Sequence, residues 1–181
     1  MNPMILKRNA LLAQKVLKGL ASRNMTGYYA ESKEDALAQA LALIPEGASV
    51  TMGGAMSARE IGLVDALKAG NYNFIDRDNY ADRRAAMLAA YDADVYLASA
   101  NAVTEDGMLV NIDGNSNRVS AMAYGPRKLI LIVGMNKVCD DLDGAMKRAR
   151  AVAAPANAQR FDIQTPCTKL GACMDCIRFC A

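Results

Sequence analysis

Short apolar strands alternate with amphipathic helices along most of this chain, and that rhythm restricts it to a layered α/β fold. Ala48–Met52, Asn71–Ile75, Asp94–Ser99 and Lys128–Val133 read as strands, the last an unbroken apolar run after its lysine. Helices are expected between them over residues 32–44, 57–69, 81–91 and 140–154. Ser32 with Asp35 reads as an N-cap, Pro45-Glu46-Gly47 as a stop, and Ser57-Ala-Arg-Glu60 as a capping box. Asp140 and Asp141 open the last helix, Lys147, Arg148 and Arg150 close it as the dipole prefers, and Pro155 should end it. Tyr28–Ala30 is a possible short strand, and Val119–Tyr124 fits strand or helix. Two turn signals, Thr104-Glu-Asp-Gly107 and Asp113-Gly114-Asn115, bracket a short strand at Met108–Ile112. The expected fold is a mainly parallel sheet flanked by helices, with one hairpin-rich insertion and a cysteine-rich C-terminal tail.

With 181 residues and half of them hydrophobic, the chain can bury a substantial core. Its net charge of +2 is small and its basic residues are scattered, which argues against nucleic acid. No apolar run is long enough to span a membrane, and the first residues lack the order of a secretory signal. A cytoplasmic location is therefore expected, where thiols stay reduced. Residues 4–21 form an amphipathic helix with Ile5, Leu12, Val16 and Leu20 on one stripe, suited to the protein body or to a second subunit of a homo-oligomer. The expected segments are this N-terminal helix (1–25), the α/β domain (26–160) and the tail (161–181).

The tail carries the sharpest chemical signal. Cys167, Cys173, Cys176 and Cys180 crowd one short run in Cys-x5-Cys-x2-Cys-x3-Cys spacing. A two-residue gap lets both thiolates face one point, and sulfur ligands select an iron–sulfur cluster or zinc. The ordering of ligands in one run favours a cluster, of the 4Fe–4S kind, over zinc; a disulfide pair or plain thiols are the bland alternatives. Cys139 lies far back and reads as a small, semi-buried residue.

Other stretches could carry chemistry. In Val50-Thr-Met-Gly-Gly-Ala-Met-Ser57 a strand feeds a glycine turn and then a helix. Gly53, Gly54 and Ser57 could bind an anion at the free amides there, or form only a tight turn. The segment after strand 94–99 gathers Asn101, Thr104, Glu105, Asp113, Asn115, Asn117 and Arg118. Ligands of open α/β sheets sit beyond the carboxyl ends of strands. Glu105 is a candidate acid/base or nucleophile and Arg118 a candidate carboxylate clamp, while Asp and Asn also serve turn geometry. Asn136 and Lys137 follow another strand end. There is no histidine, so no Ser-His-Asp triad exists, and proton transfer would fall to Glu, Asp, Lys, Cys or Tyr.

Gly53-Gly-Ala-Met-Ser57, Glu60-Ile-Gly62, Ser99-Ala-Asn-Ala-Val-Thr-Glu-Asp-Gly107, Asn111-Ile-Asp-Gly-Asn115, Asn117-Arg118-Val119, Gly125-Pro126 and Gly134-Met-Asn-Lys137 together resemble the lactate-utilization (LUD) domain family. So do Ala154-Pro-Ala-Asn157 and Thr165-Pro-Cys-Thr-Lys-Leu-Gly-Ala-Cys173-Met-Asp-Cys176. The resemblance implies a Rossmann-like sheet similar to the ribose-5-phosphate isomerase and CoA-transferase group. It also implies a place near bacterial oxidation of lactate or related organic acids, as a redox or accessory subunit beside iron–sulfur partner proteins. The ligand would be a small organic acid or a phosphate-bearing molecule. By analogy with the fold group, Gly53, Gly54 and Ser57 would bind and Glu105 would catalyse, giving the alternative of an isomerase-, transferase- or hydrolase-type enzyme with zinc or no metal. The family pattern has a longer gap before its last cysteine and then a further strand. Here Ile-Arg-Phe fills that gap, so either a trimmed branch of the family or a truncated end is expected, and Cys180 is the least secure ligand.

Overall fold

The computed structural model describes residues 2–176. In chain order it contains α1 (Pro3–Ser22), α2 (Lys33–Ala42), β1 (Ser49–Met52), α3 (Met56–Glu60), α4 (Leu63–Ala69), β2 (Asn73–Phe74), α5 (Arg83–Asp92), β3 (Val95–Ala98), β4 (Ala102–Thr104), β5 (Leu109–Val110), α6 (Asn117–Tyr124), β6 (Lys128–Leu131), β7 (Val138–Cys139), α7 (Leu142–Arg148), α8 (Ala154–Ala158) and α9 (Pro166–Leu170). The chain divides into two compact units, each assembled from separate stretches.

The first unit comprises residues 28–99 and 117–133. Its sheet runs β2-β1-β3-β6 and is parallel throughout, with Val50 beside Val95 and Tyr96 beside Leu129. The α/β expectation holds here: this is the helix-flanked parallel sheet. Successive side chains of a strand point to opposite faces. Val50, Val95, Leu97 and Ile130 accordingly share one core with Ile44, Leu63, Val64 and Leu67. Tyr96 and Ala98 face the other way, against Ala90 of α5 and Ala121 of α6. Small alanines let those helices approach the sheet closely. At the amino end of the strands, Asp94 accepts hydrogen bonds from the Ser49 hydroxyl at 2.7 Å and the Ser49 amide at 3.0 Å, fastening β1 to β3. These bonds, the hydroxyl's first, and the Arg127 charge hold the Asp94 carboxyl below its ordinary range.

The second unit takes the described residues of 1–27, 100–116 and 134–181. Its sheet runs β5-β4-β7: β4 pairs antiparallel with β5 and parallel with β7. Ala102, Val110, Ala145 and Ala149 form its small core, with Ile112 and Cys139 against them. The hairpin read from the turn signals is present, and Cys139 is the half-buried packing residue expected of it.

Four local expectations fail for physical reasons. Tyr28–Ala30 forms no strand. Ser57 caps nothing, because α3 starts one residue earlier with Ala55 in the cap position. Gly62, at φ 79°, then breaks the expected single helix into α3 and α4, a left-handed turn that glycine adopts freely. Pro155 does not end its helix: a π-helical turn over Ala149–Ala153 precedes it, and Pro155 sits in the first turn of α8, where a missing N–H costs little. Val119–Tyr124 resolves as helix, within α6.

Candidate functional site

The carboxyl ends of β1 and β3 meet at the glycine turn. Gly53 N–H donates to Leu97 O at 3.0 Å, carrying the β1–β3 pairing one residue past the strand. A Cβ on Gly53 would stand 2.7 Å from Tyr96 Oη and 3.3 Å from Arg118 Cγ and Cδ. The glycine is thus required by its neighbours, and Arg118 lies along the turn. Arg118 Nη1 donates to Ser99 O at 2.9 Å, which fixes its guanidinium at the end of β3. Gly54 is exposed and Ser57 half-buried on α3. The structure therefore brings together Gly53 and Arg118, two candidates from separate stretches of the sequence.

Beside this turn lies a cavity of about 290 Å³. Thr51, Met52 and Tyr96 line it from the sheet; Ala86, Met87 and Ala90 line it from α5. Arg77, Tyr80 and Asn117 supply polar groups, and the described lining includes no carboxylate residue. Cavities at the carboxyl edge of a parallel sheet are the usual ligand sites of such folds. Sequence reasoning missed Arg77, Tyr80 and Tyr96. The one available signal was position: Arg77 follows the end of β2 closely, and strand ends carry ligands.

The remaining ligand candidates belong to the second unit, where most have structural tasks. Asn101 Oδ1 accepts from Ile112 N–H at 2.8 Å, and its backbone oxygen accepts from Arg148 Nη1. Arg148 Nε also donates to Asn136 O at 3.1 Å, so this arginine ties both segments to α7. Asp113 and Asn115 lie in the loop before α6, and Lys137 ends a single 3-10 turn. Thr104 is fully buried. Its hydroxyl donates to the Asp106 carboxylate and accepts from Met108 N–H at 2.8 Å, forming the hairpin turn. Glu105 reaches α1, where Lys15 Nζ lies 2.8 Å from its carboxylate. Arg23 pairs with Asp106 at 2.7 Å. Both ion pairs bind the first helix to the Thr104–Gly107 turn.

The Thr104 hydroxyl first, then Arg23, holds the Asp106 carboxyl below its ordinary range. A lowered folded-state pKa contributes stability above the unfolded value, near pH 3.9, and that contribution is lost as pH falls through the folded value. Thr104→Val is expected to destabilise by about 2 kcal/mol at pH 7, because it removes a buried hydroxyl with two partners. The difference from wild type should narrow below about pH 4. Urea midpoints collected between acid and neutral pH measure this directly; a gap independent of pH would remove Asp106 from the account.

The family model of the LUD domain matches residues 13–178. The chain belongs to the LUD domain family. The match begins inside α1 and takes in segments of both units. No curated protein and no solved structure matches the chain. Membership supports a role related to lactate utilisation, as the motifs implied. Among the described residues, no helix of this LUD domain is long and apolar enough to cross a membrane.

The LUD domain's cysteines are only in part within view. Cys167 lies in α9 with its sulfur 3.1 Å from Thr165 Oγ1; Cys173 is half-buried and Cys176 exposed. Cys180 lies outside the described residues. The sulfur donors suit a soft metal centre by their chemistry. Among the described residues no three cysteine or carboxylate side chains converge into a metal-binding group.

Proposed function

We propose that this LUD-domain protein serves lactate utilisation by binding a small organic anion in the cavity beside Gly53. One observation carries the reading: the described lining of the cavity at the sheet's carboxyl edge includes an arginine and no carboxylate residue. A guanidinium pairs with a carboxylate through charge-assisted hydrogen bonds, which are stronger away from bulk water. In this reading Arg77 holds the acid group, Asn117 and the Tyr80 and Tyr96 hydroxyls orient it, and the alanines of α5 exclude water. Arg118 and the glycine turn border the site.

Calorimetric titration with lactate, pyruvate, 3-phenyllactate and inorganic phosphate tests it. At least one of these should bind the full chain, and Arg77→Gln should weaken that binding about tenfold or more. If no acid in the set binds, the reading is wrong.

The four tail cysteines belong to the same proposal: Cys167, Cys173, Cys176 and Cys180 would hold an iron–sulfur cluster, with zinc as the alternative. The cluster would supply electron transfer toward iron–sulfur partner proteins. Loading would draw the described sulfurs together around the centre. Protein purified without oxygen should then contain iron and acid-labile sulfide and be brown. Zinc in their place selects the alternative; a metal-free sample with freely titrating thiols removes the centre altogether.

A further inference from the structure

We propose that the cavity of the first unit takes a 2-hydroxy or 2-oxo acid with a bulky apolar or aromatic side chain, in preference to lactate itself. This rests on the organic-anion reading above and adds the shape of the ligand. The first ground is size. At about 290 Å³ the cavity is far roomier than lactate's single methyl group requires. It is roughly twice the ~150 Å³ of an apolar cavity that accepts benzene, and near the ~300 Å³ lower bound of pockets for larger organic ligands.

The second ground is how polarity is distributed. Among the described residues α5 contributes Ala86, Met87 and Ala90 to the lining, and Ala81 precedes it. These side chains can neither pair with a hydroxyl nor orient a carboxylate. An empty space bounded by them favours an apolar group. The polar lining comes from other elements: Arg77 and Tyr80 from the segment after β2, Tyr96 from β3, and Asn117 from α6. A ligand with an acid at one end and an apolar body at the other satisfies both sets.

The third ground is the choice of apolar residues. Alanines at positions 86 and 90 keep the cavity open, since leucine at either would extend into it. Met87 is flexible and polarisable, and makes favourable contacts with aromatic rings. Tyr80 and Tyr96 offer ring surfaces to the same space. A methyl group would reach few of these walls; a phenyl or branched aliphatic group would reach them together.

The test compares L-lactate with 3-phenyllactate on the full chain by calorimetry. Burying the phenyl ring should make 3-phenyllactate bind about ten- to a hundredfold tighter. Ala90→Leu should erase that preference, with circular dichroism confirming the fold. Ala86→Leu and Met87→Ala provide independent readings of the same wall, each expected to reduce the preference. Equal affinities in wild type, or a preference that survives in every folded variant, would overturn the inference while leaving anion binding intact. Failure of both acids to bind would sink it together with its parent reading; binding of inorganic phosphate alone would replace the carboxylate with a phosphate ligand.

Discussion

Gly107→Ala is expected to cost about 4 kcal/mol, a large fraction of the roughly 5–15 kcal/mol that stabilises an ordinary domain. Two penalties add at this position. Its φ is 85°, a left-handed conformation that a side chain strains, and the added Cβ would fall 2.3 Å from Gly19 C and 2.4 Å from Leu20 N. The backbone of α1 lies directly on the backbone of the Thr104–Gly107 turn, and no flexible side chain can yield. Gly19 is the reciprocal partner. A Cβ there would stand 2.2 Å from Asp106 C, so Gly19→Ala should be destabilising too, although alanine is the better helix former by roughly 1 kcal/mol. Gly47→Ala separates the two penalties. Gly47 also has a positive φ, 74°, but its Cβ would meet nothing within 4 Å, so only about 1 kcal/mol is expected. Urea midpoints of the three variants give the ranking. If Gly107→Ala proves no worse than Gly47→Ala, the close packing of α1 on the turn is refuted.

The same contact shows where sequence reading stopped. Lys15 and Glu105 are separated by 90 positions, and nothing local announces their pairing. Glu105 between turn residues reads as chemistry because a lone carboxylate near a strand end is what catalysis uses; its observed partner ties it to the first helix. Asn101 reads the same way and serves the β4–β5 hairpin instead. Polar residues at turns are selected for backbone hydrogen bonds as often as for ligands, and sequence spacing does not separate the two.

Strands of four residues with apolar neighbours were legible. β3 stood out because burial on both faces removes polar residues from it, and β6 because Leu129, Ile130 and Leu131 form an unbroken apolar run. β4 and β7 were not legible. β7 is two residues long, too short for any periodicity, and its partner lies across a long stretch of chain. The division into two units was equally hidden, since each unit is assembled from separate segments and no linker composition marks the crossings. At the site, Gly53 was readable because glycine is rare without cause. Arg77 was not, because one arginine in a polar loop looks like any other.

Leu97→Ala should lower stability by about 3 kcal/mol yet leave ligand affinity unchanged within twofold. Leu97 is fully buried at the centre of the parallel sheet, between Met52 of β1 and Ile130 of β6. Its side chain joins Val50, Leu63 and Leu67 in the core that covers one face. Truncation removes buried methyl groups and leaves a void that strand neighbours on both sides prevent from closing. The candidate cavity borders Thr51 and Tyr96, whose side chains point to the opposite face, and Met52 is the one described lining residue that shares the core around Leu97. Stability and binding should consequently be separable at adjacent positions of one strand. Thermal melts combined with calorimetry on the folded variant make the comparison. Loss of affinity equal to the loss of stability would mean that the two faces of β3 act as one body, and the ligand would then be reading the whole sheet rather than the walls of its own pocket.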